Sequence, residues 1–434
     1  MKLSIIVLIS AFTIAIPGCR KHDEPGDPGK YPADVANAWM QMHIRLTRST
    51  PGFNSIVSNR SFSYAGITLY ESLAPGIPGS RSLLPQIGGT AVMTNNGRDK
   101  YFWPASVNAA MARMTRLFFA NTSAANVASI DSLESAFNAR FQTEAESKKN
   151  QLAIDYGRQL ATAVFEWSKT DGGHEAYLHI VDPTYVLPAG DGLWVPTSPN
   201  TSPVHPRWGS NRSFIPNLAS STQPAAPVPY SSGPQSPFYN MVNELYTISL
   251  SLTREDSTIA RFWGDQPGNL NVPAHATNIL NGLIDRNRLD LNTAAAAYAL
   301  HGIAMNDASI SVFKTKYVYN QLRPATYIRN IMKHPEWNSV IPTPPHPEYS
   351  AAHAVVSAAS AVVLEKFFGV NYGFTDHSYD ATYGARTYKS FDDYAKEAGR
   401  SRLLAGIHYS PSISTGLVQG RLVGNKVVQL ELNY

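Results

Sequence analysis

The stretch Tyr349-Ser350-Ala351-Ala352-His353 closes a run of prolines and opens a helix of small residues. Four of the seven residues in 341–347 are proline, and proline fixes the backbone and lacks an amide donor, so this run is expected to be extended. Ser350 is a preferred helix N-cap residue, which predicts that the helix begins there. The free amides of residues 351–353 would then face an anion, aided by the helix dipole.

His353 lies in the first turn of this predicted helix. An imidazole at that place can act as a general acid or base toward a bound anion. The alternative is an ordinary first-turn histidine without a chemical role. The stretch alone does not decide between the two.

Upstream, Lys316 and Arg323 are seven residues apart. On a helix this spacing returns both side chains to one face within about 20° and separates them by roughly 10 Å, so both can reach one anion. Pro324 ends such a helix with the guanidinium at its mouth, where its fork suits a tetrahedral oxyanion. The alternative is a solvated cationic face.

Downstream, the spacing of Ser390 and Asp393 predicts a capped helix that carries Arg402 and ends near Gly406. A six-residue step does not return to the same helical face, so His408 is expected on the turn after this helix. From there its ring can reach into a pocket. Taken alone, the segment is also an ordinary basic helix terminus.

Together the three segments resemble the three-part signature of the type 2 phosphatidic acid phosphatase and vanadium-dependent haloperoxidase superfamily. The resemblance covers residues 238–434. The tetrapeptide Phe262-Trp263-Gly264-Asp265 and the helical first half are similar to the bacterial haloperoxidase branch, whereas small membrane lipid phosphatases lack that half.

The resemblance implies a role for each matched residue. The three cations, Lys316, Arg323 and Arg402, would donate to the equatorial oxygens of vanadate, or of phosphate in a phosphatase, together with the amides of Ala351 and Ala352. His408 would be the apical group that bonds vanadium or attacks phosphorus, and His353 the acid or base on the opposite side. His346 would tune the choice of halide, as in bromoperoxidases.

Two departures from the family pattern weaken this expectation. The family has Ser-Gly where this chain has Ala351 and Ala352, so a hydroxyl donor worth about 1.5–3 kcal/mol toward a charged partner is absent. Ser412 stands where the phosphatases carry the aspartate that orients the apical histidine, which disfavours a nucleophilic His408.

Three functions therefore stay open. The first is a haloperoxidase-like enzyme that oxidises bromide or iodide with hydrogen peroxide at vanadate bound to His408. The second is an acid phosphatase that hydrolyses phosphate esters through a phosphohistidine. The third is a non-catalytic envelope lipoprotein that keeps the fold.

The N-terminal sequence predicts that the protein is exported. Residues 1–18 have a basic start and an apolar run of signal-peptide length, and Cys19, the only cysteine, follows as in a bacterial lipoprotein cleavage site. Residues 19–32 would be the tether of a lipid-anchored protein of the bacterial envelope, in the outer membrane or periplasm, with no other membrane contact. A net charge of +4 with 16% charged residues does not indicate a nucleic-acid partner.

Apolar residues recur at helical spacing through most of residues 33–434, and strand alternation never persists. The sequence therefore predicts an all-α fold of two packed helical bundles with long irregular connections. The N-terminal region would span 33–237 and the catalytic region 238–434. A Pro- and Ser-rich loop at 180–237 interrupts the helices, and its interleaved aromatics predict that it packs on the surface.

Overall fold

The computed structural model describes residues 26–92, 97–199, 202–265 and 268–434. Helices dominate this part of the chain, as the all-α prediction expects. They are α1 (Asp34–Ser49), α2 (Ser55–Glu71), α3 (Trp103–Phe118), α4 (Ala124–Glu144), α5 (Ser147–Ser168), α6 (Leu218–Ser221), α7 (Pro237–Ser249), α8 (Arg254–Phe262), α9 (Val272–Asn287), α10 (Leu291–Tyr319), α11 (Pro324–Asn330), α12 (Ala352–Phe368), α13 (Phe391–Leu404) and α14 (Ser410–Val427).

Helices α1 to α5 form the first bundle, in which α3 packs on α5, α4, α2 and α1. The apolar periodicity in residues 130–165 belongs to two helices, because α4 ends at Glu144 and α5 starts at Ser147. A buried ion pair between Arg60 and Asp171, 2.7 Å apart, ties α2 to the segment after α5.

Helix α10 is the shared wall between the two bundles. It is buried along nearly its whole length of 29 residues, and it packs on α2 on one side and on α12 on the other. The crossing with α2 is close, because a Cβ added at Gly66 would lie 2.4 Å from the carbonyl oxygen of Tyr298. Two polypeptide backbones are therefore in direct contact at the centre of the molecule.

The second bundle consists of α10, α12, α13 and α14. Small residues let α12 and α14 approach, and a Cβ at Gly420 would lie 2.1 Å from the carbonyl oxygen of Val355. Two short antiparallel strands, β1 (Phe374–Asp376) and β2 (Arg386–Tyr388), lie between α12 and α13. Three residues are too few to produce a recognisable alternation, so the sequence did not reveal them.

The loop at 180–237 is held against the second bundle, as its aromatics predicted. Trp194, Trp208 and Phe214 are buried. The Phe214 and Ile215 amides donate to the buried carboxylate of Asp307 at 2.9 Å each. The long connection is thus part of the packed structure and not a free linker.

Residues 26–32, predicted as part of a tether, pack on the folded domain. The Trp103 indole nitrogen donates to the Gly26 carbonyl at 2.6 Å, and the Asn292 amide nitrogen donates to buried Asp27. The predicted signal peptide and Cys19 lie outside the described residues. Within those residues, no helix has the length and hydropathy needed to cross a membrane.

Candidate functional site

A cavity of about 370 Å³ lies where both bundles and the long loop meet. Five residues that the sequence singled out line it: His346, Ala352, His353, Arg402 and His408. Lys316, Arg323 and Ala351 are fully buried beside it and are not part of its lining. The three sequence segments therefore converge. Some of their residues line the cavity, and the others are buried behind its wall.

His408 is clamped from both sides of its ring. Its Nδ1 lies 2.8 Å from Glu348 Oε1, and its Nε2 lies 3.2 Å from an Arg323 nitrogen. Because a guanidinium can only donate, Nε2 carries the lone pair and Nδ1 carries the hydrogen. The sequence-based expectation that His408 follows the end of its helix is met, since α13 ends at Leu404.

Glu348 was missed by the sequence analysis. Its Oε1 accepts hydrogen bonds from the ring of His408 and, at 2.9 Å, from the Tyr409 amide. The sequence analysis expected no acidic partner for the ring, because Ser412 replaces the family's aspartate; Glu348 of the proline-rich run is that partner instead. The available signal was an acidic residue among apolar and proline neighbours, which has to be buried with a partner.

Arg323 is not on the helix that carries Lys316. Helix α10 ends at Tyr319, because Asn320 adopts a left-handed conformation (φ 46°), and Arg323 is instead the N-cap residue of α11. The argument from a shared helical face was therefore wrong. The guanidinium still reaches the site, where it donates to the Ile407 carbonyl at 2.7 Å and to His346 Nδ1 at 2.9 Å.

Lys316 is caged by backbone. Its Nζ donates to the carbonyl oxygens of Pro347, Glu348 and Ser350 at 3.0, 2.9 and 2.6 Å. Burial and the Arg323 charge lower its pKa well below the usual value. The cage opposes that loss of the proton, because only the charged amine has three hydrogens to donate. Lys316 thus holds the segment that carries Glu348 and adds positive charge from behind the wall.

Arg402 is the cation that faces the cavity. Its Nε donates to Ser401 Oγ at 3.0 Å and one terminal nitrogen donates to the Ala260 carbonyl at 3.2 Å. Burial lowers its pKa to about 10, so it stays charged at neutral pH. A guanidinium has five N–H groups, which leaves donors for an anion.

His353 faces the same cavity from the first turn of α12. Its Nε2 lies 3.0 Å from the Trp263 carbonyl oxygen and 3.8 Å from an oxygen of Asp265. A carbonyl can only accept, so Nε2 carries the hydrogen and Nδ1 is free of one. Burial and the Arg402 charge hold the pKa of His353 well below 6.5, so the ring is neutral at pH 7.

Ser350 does not cap α12, contrary to the sequence-based prediction. Its hydroxyl donates to Gln419 Oε1 at 2.5 Å, and Ala351 takes the N-cap position without a side-chain bond. The Ala351 amide donates to the Ser412 carbonyl at 3.3 Å, so the expected amide donor at that residue is engaged elsewhere. The amide of Ala352 remains in the first helical turn, beside the cavity.

His346 lies between Arg323 and the cavity, with its ring against Phe313 at 5.3 Å between centroids. Burial and the charges of Lys316 and Arg323 lower its pKa, and the same causes, with Arg323 ahead of Lys316, lower that of His408. The three imidazoles of the site are therefore neutral at pH 7, so the positive charge around the cavity comes from the lysine and the arginines.

This chemistry fits an oxyanion. A lone pair at His408, an open guanidinium at Arg402 and the charges behind the wall match a multiply charged tetrahedral anion. Within the described ranges, no group of three or more His, Cys, Asp or Glu could hold a metal ion by itself.

The chain is similar to known proteins in sequence over its C-terminal part and in fold over most of its length. Residues 296–434 match the family model described as the VCPO second helical-bundle domain. The structure described as the first bacterial vanadium-dependent iodoperoxidase aligns with a TM-score of 0.82 and 28% identity, over 92% of this chain and 97% of that chain. No curated protein matches the chain.

Two further structures, holo and apo forms of a bacterial vanadium-dependent chloroperoxidase, align with a TM-score of 0.68 and 14% identity. They cover 88% and 89% of this chain, and 93% and 98% of theirs. At that identity the likeness shows the fold alone. The predicted resemblance to the bacterial haloperoxidase branch and the all-α fold are confirmed.

Proposed function

We propose that this chain, which is similar to bacterial vanadium-dependent haloperoxidases, oxidises bromide or iodide with hydrogen peroxide at vanadate held beside His408. The observation that carries the proposal is the clamp on His408. Glu348 fixes the ring hydrogen on Nδ1, which leaves the Nε2 lone pair at a cavity that Arg402 and His353 also face.

His408 Nε2 would bond the vanadium, while Arg402 and Arg323 would neutralise the vanadate oxygens. Bound vanadate supplies a Lewis acid that activates peroxide without changing its own oxidation state. Arg323 donates to Nε2 at 3.2 Å and would help to hold the anion beside His408, because an oxyanion is a stronger acceptor than a neutral imidazole.

His353 would move the proton that the reaction needs. Its free Nδ1 can accept a hydrogen from peroxide, and its position near Asp265 helps it to carry charge briefly. His346, between Arg323 and Phe313, is our candidate for tuning the halide.

Glu348 also favours a second candidate, the acid phosphatase. A histidine that attacks phosphorus becomes positive, and a carboxylate on its Nδ1 stabilises that charge. The sequence-based objection to a phosphohistidine, the loss of the family's aspartate at Ser412, is answered by the 2.8 Å contact with Glu348. The same pocket can therefore support phosphate-ester hydrolysis.

One assay separates the candidates. The purified protein is incubated with orthovanadate, peroxide and bromide or iodide, and in parallel with a chromogenic phosphate ester. Vanadate-dependent halide oxidation that is lost in His408→Ala, and kept in a control His377→Ala on the surface, supports the first proposal. Ester hydrolysis inhibited by vanadate supports the second, and absence of both activities contradicts both and leaves a non-catalytic envelope protein.

Export and lipid anchoring at Cys19 are also proposed, on the pattern of residues 1–19 alone. In a bacterial host, the full-length chain should incorporate labelled palmitate and fractionate with membranes. Cys19→Ser should abolish both. Label retained in that variant would contradict the anchor.

A further inference from the structure

Trp263 carries the hydrogen-bond acceptor of His353, and no regular element holds that acceptor in place. Trp263 follows the last residue of α8, and its carbonyl oxygen accepts from His353 Nε2 at 3.0 Å. The last carbonyls of a helix have no partner within the helix, so α8 alone does not fix where this oxygen points. The position of the acceptor therefore depends on how the Trp263 side chain is held.

One face of the Trp263 ring is held by a buried histidine–aspartate pair. The His275 ring stacks on it with 4.7 Å between centroids and 28° between planes. His275 Nε2 lies 2.7 Å from Asp376 Oδ2 of β1, and both side chains are at most 3% exposed. Burial raises the pKa of Asp376, but His275 and Ser378 outweigh it and leave the pKa below its usual value, so the carboxylate is charged at neutral pH. Strand β1 thus fixes the stacked ring.

The edge of the same indole is held from β2. The Trp263 ring nitrogen donates to Glu397 Oε1 of α13 at 3.1 Å. Arg386 donates to both oxygens of this carboxylate at 2.7 Å each, and the Tyr388 hydroxyl donates to Oε1 at 2.7 Å. A bidentate arginine contact fixes a carboxylate in direction as well as in distance. The indole is therefore held at two places, and rotation of its ring would break both contacts.

The two strands direct their charges to these contacts. Asp376 and Arg386 are opposite each other in the β1–β2 register, where opposite charges can pair across the strands. Here Asp376 pairs with His275, and Arg386 pairs with Glu397 and, at the surface, with Glu255. A two-stranded hairpin is marginally stable by itself. Each strand of this hairpin nevertheless provides a charged side chain for a group that contacts the indole.

We propose that the hairpin β1–β2 is a positioning element for His353. Asp376 acts through His275, and Glu397 acts directly on the indole. Together they hold the Trp263 carbonyl where it keeps the ring hydrogen of His353 on Nε2, so the Nδ1 lone pair stays available. The cavity lining, within the described residues, includes neither Trp263 nor the residues that hold it. The inference rests on the proposed function only for the use of that lone pair as a proton acceptor.

Nitrogen-15 NMR of the histidine-labelled protein, without vanadate, halide or peroxide, tests the proposal directly. His353 is identified by the signals that His353→Gln loses. In the wild type its ring should carry the hydrogen on Nε2. Asp376→Asn and, separately, Glu397→Gln remove the charge of one contact and keep its shape. Each should raise the fraction of His353 with the hydrogen on Nδ1 by about 3- to 10-fold.

Two matched variants are the controls, because each loses a similar contact that does not reach the indole. Asp380, in the loop between the strands, contacts exposed His377 at 2.9 Å. Glu255 accepts from Arg386 at 2.9 Å at the surface. Asp380→Asn and Glu255→Gln should leave the His353 signals as they are in the wild type.

His408 is an internal reference in the same spectra. Glu348 holds its hydrogen on Nδ1, so its signals should not change in Asp376→Asn or Glu397→Gln. A mixture of tautomers at His353 in the wild type, an unchanged His353 in a folded variant, or an equal change at His408 would overturn the proposal. Thermal unfolding shows which variants fold. Glu397, with 20% of its side chain exposed, keeps the test decisive if Asp376→Asn does not fold.

Turnover with iodide separates positioning from anion binding. Asp376→Asn should lower kcat about 10-fold, because proton transfer at His353 is disturbed, and should leave the affinity for orthovanadate within about 2-fold of the wild type. Weakened affinity with an unchanged kcat would contradict the proposal. If the wild type oxidises no halide at all, the proposed function fails, while the NMR result on the tautomer still stands by itself.

Discussion

Three histidines line the cavity, and the protein holds two of them, His408 and His353, in different ways. His408 is fully enclosed, with Glu348 at 2.8 Å on one nitrogen and Arg323 at 3.2 Å on the other. His353 has one hydrogen bond, to a backbone carbonyl, and its nearest carboxylate oxygen, on Asp265, is 3.8 Å away. The first ring is fixed in orientation and tautomer, and the second is free to change its proton.

This difference matches two different tasks. A group that bonds a metal or phosphorus needs a lone pair held at one point, since small misplacements reduce its reactivity strongly. A group that transfers protons needs access and a neighbouring charge that is not locked to it. The first two of four predictions concern the residues that hold His408, and the last concerns the carboxylate near His353.

The largest effect is expected from Lys316→Met, which removes the support beneath Glu348. Three buried carbonyls lose their donor, and Glu348 loses a neighbouring positive charge. The free energy of unfolding should fall by about 3–5 kcal/mol, measured by denaturant titration.

Lys314→Met is the matched control for this change. It lies two residues earlier on α10, where its amine donates to Ser220 Oγ at the surface. The control should change stability by less than about 1 kcal/mol. If both variants unfold alike, the cage does not stabilise the fold, and Lys316 is available to bind the anion directly.

Glu348→Gln should break the clamp while preserving shape. The amide oxygen can still accept from His408 Nδ1 and the Tyr409 amide. It cannot carry the negative charge that the Glu348 carboxyl, whose pKa burial raises to about 7, carries in part at neutral pH. Orthovanadate and phosphate should bind about 10- to 100-fold more weakly by titration calorimetry. Glu244→Gln, at an exposed residue that accepts from Ser410, should bind as the wild type does, and wild-type affinity in Glu348→Gln would contradict the role given to Glu348.

His301, a buried histidine outside the cavity, shows how burial alone changes the pKa of an imidazole. It contacts Ser360 Oγ at 2.8 Å, and burial lowers its pKa to about 3. The unfolded chain binds this proton near pH 6.5, so the stability it provides is present above that pH and is lost as pH falls toward 3. Compared with His301→Gln, the wild type should lose about 1.6 kcal/mol more between pH 6.5 and pH 5.

Urea titrations of both proteins at each pH measure this difference, because the other histidines cancel in the comparison. A constant difference across the range would show that His301 is not held neutral by the fold. The result calibrates how far burial alone, without a carboxylate, depresses an imidazole in this protein.

The smallest effect is expected from Asp265→Asn. The carboxylate 3.8 Å from His353 favours the protonated ring, so its removal should lower the pKa of His353 further, by less than about one unit. Histidine NMR titration follows this directly and does not depend on activity. Asp380→Asn, beside exposed His377, should leave His353 unchanged, and an upward shift in Asp265→Asn would contradict the assignment.

Local features of the fold and site were predictable from sequence. Apolar periodicity revealed the helices, and the turn after α13 was correctly placed at His408 because Gly406 breaks the helical pattern. The six-residue separation of Arg402 and His408 therefore predicted correctly that the first lies on the helix and the second on the turn after it. The three converging segments were recognised together through their resemblance to the superfamily signature.

Contacts between distant residues were not predictable. Glu348 and His408 are 60 residues apart in sequence. The Ser350 hydroxyl, expected to cap α12, donates instead to Gln419, which is 69 residues away. Both choices depend on how α14 lies against the proline-rich run, which no local pattern encodes. The end of α10 was missed for a smaller reason, since Asn320 in a left-handed conformation was not treated as a helix stop.

Trp263 provides the site with an optical reporter. Its carbonyl oxygen bonds His353, its ring stacks on His275 at 4.7 Å between centroids, and its indole nitrogen donates to Glu397. We expect an anion that enters the cavity to change the electric field across this ring and so to shift its fluorescence emission. The emission that differs between the wild type and Trp263→Phe can follow filling of the cavity in real time, without a label.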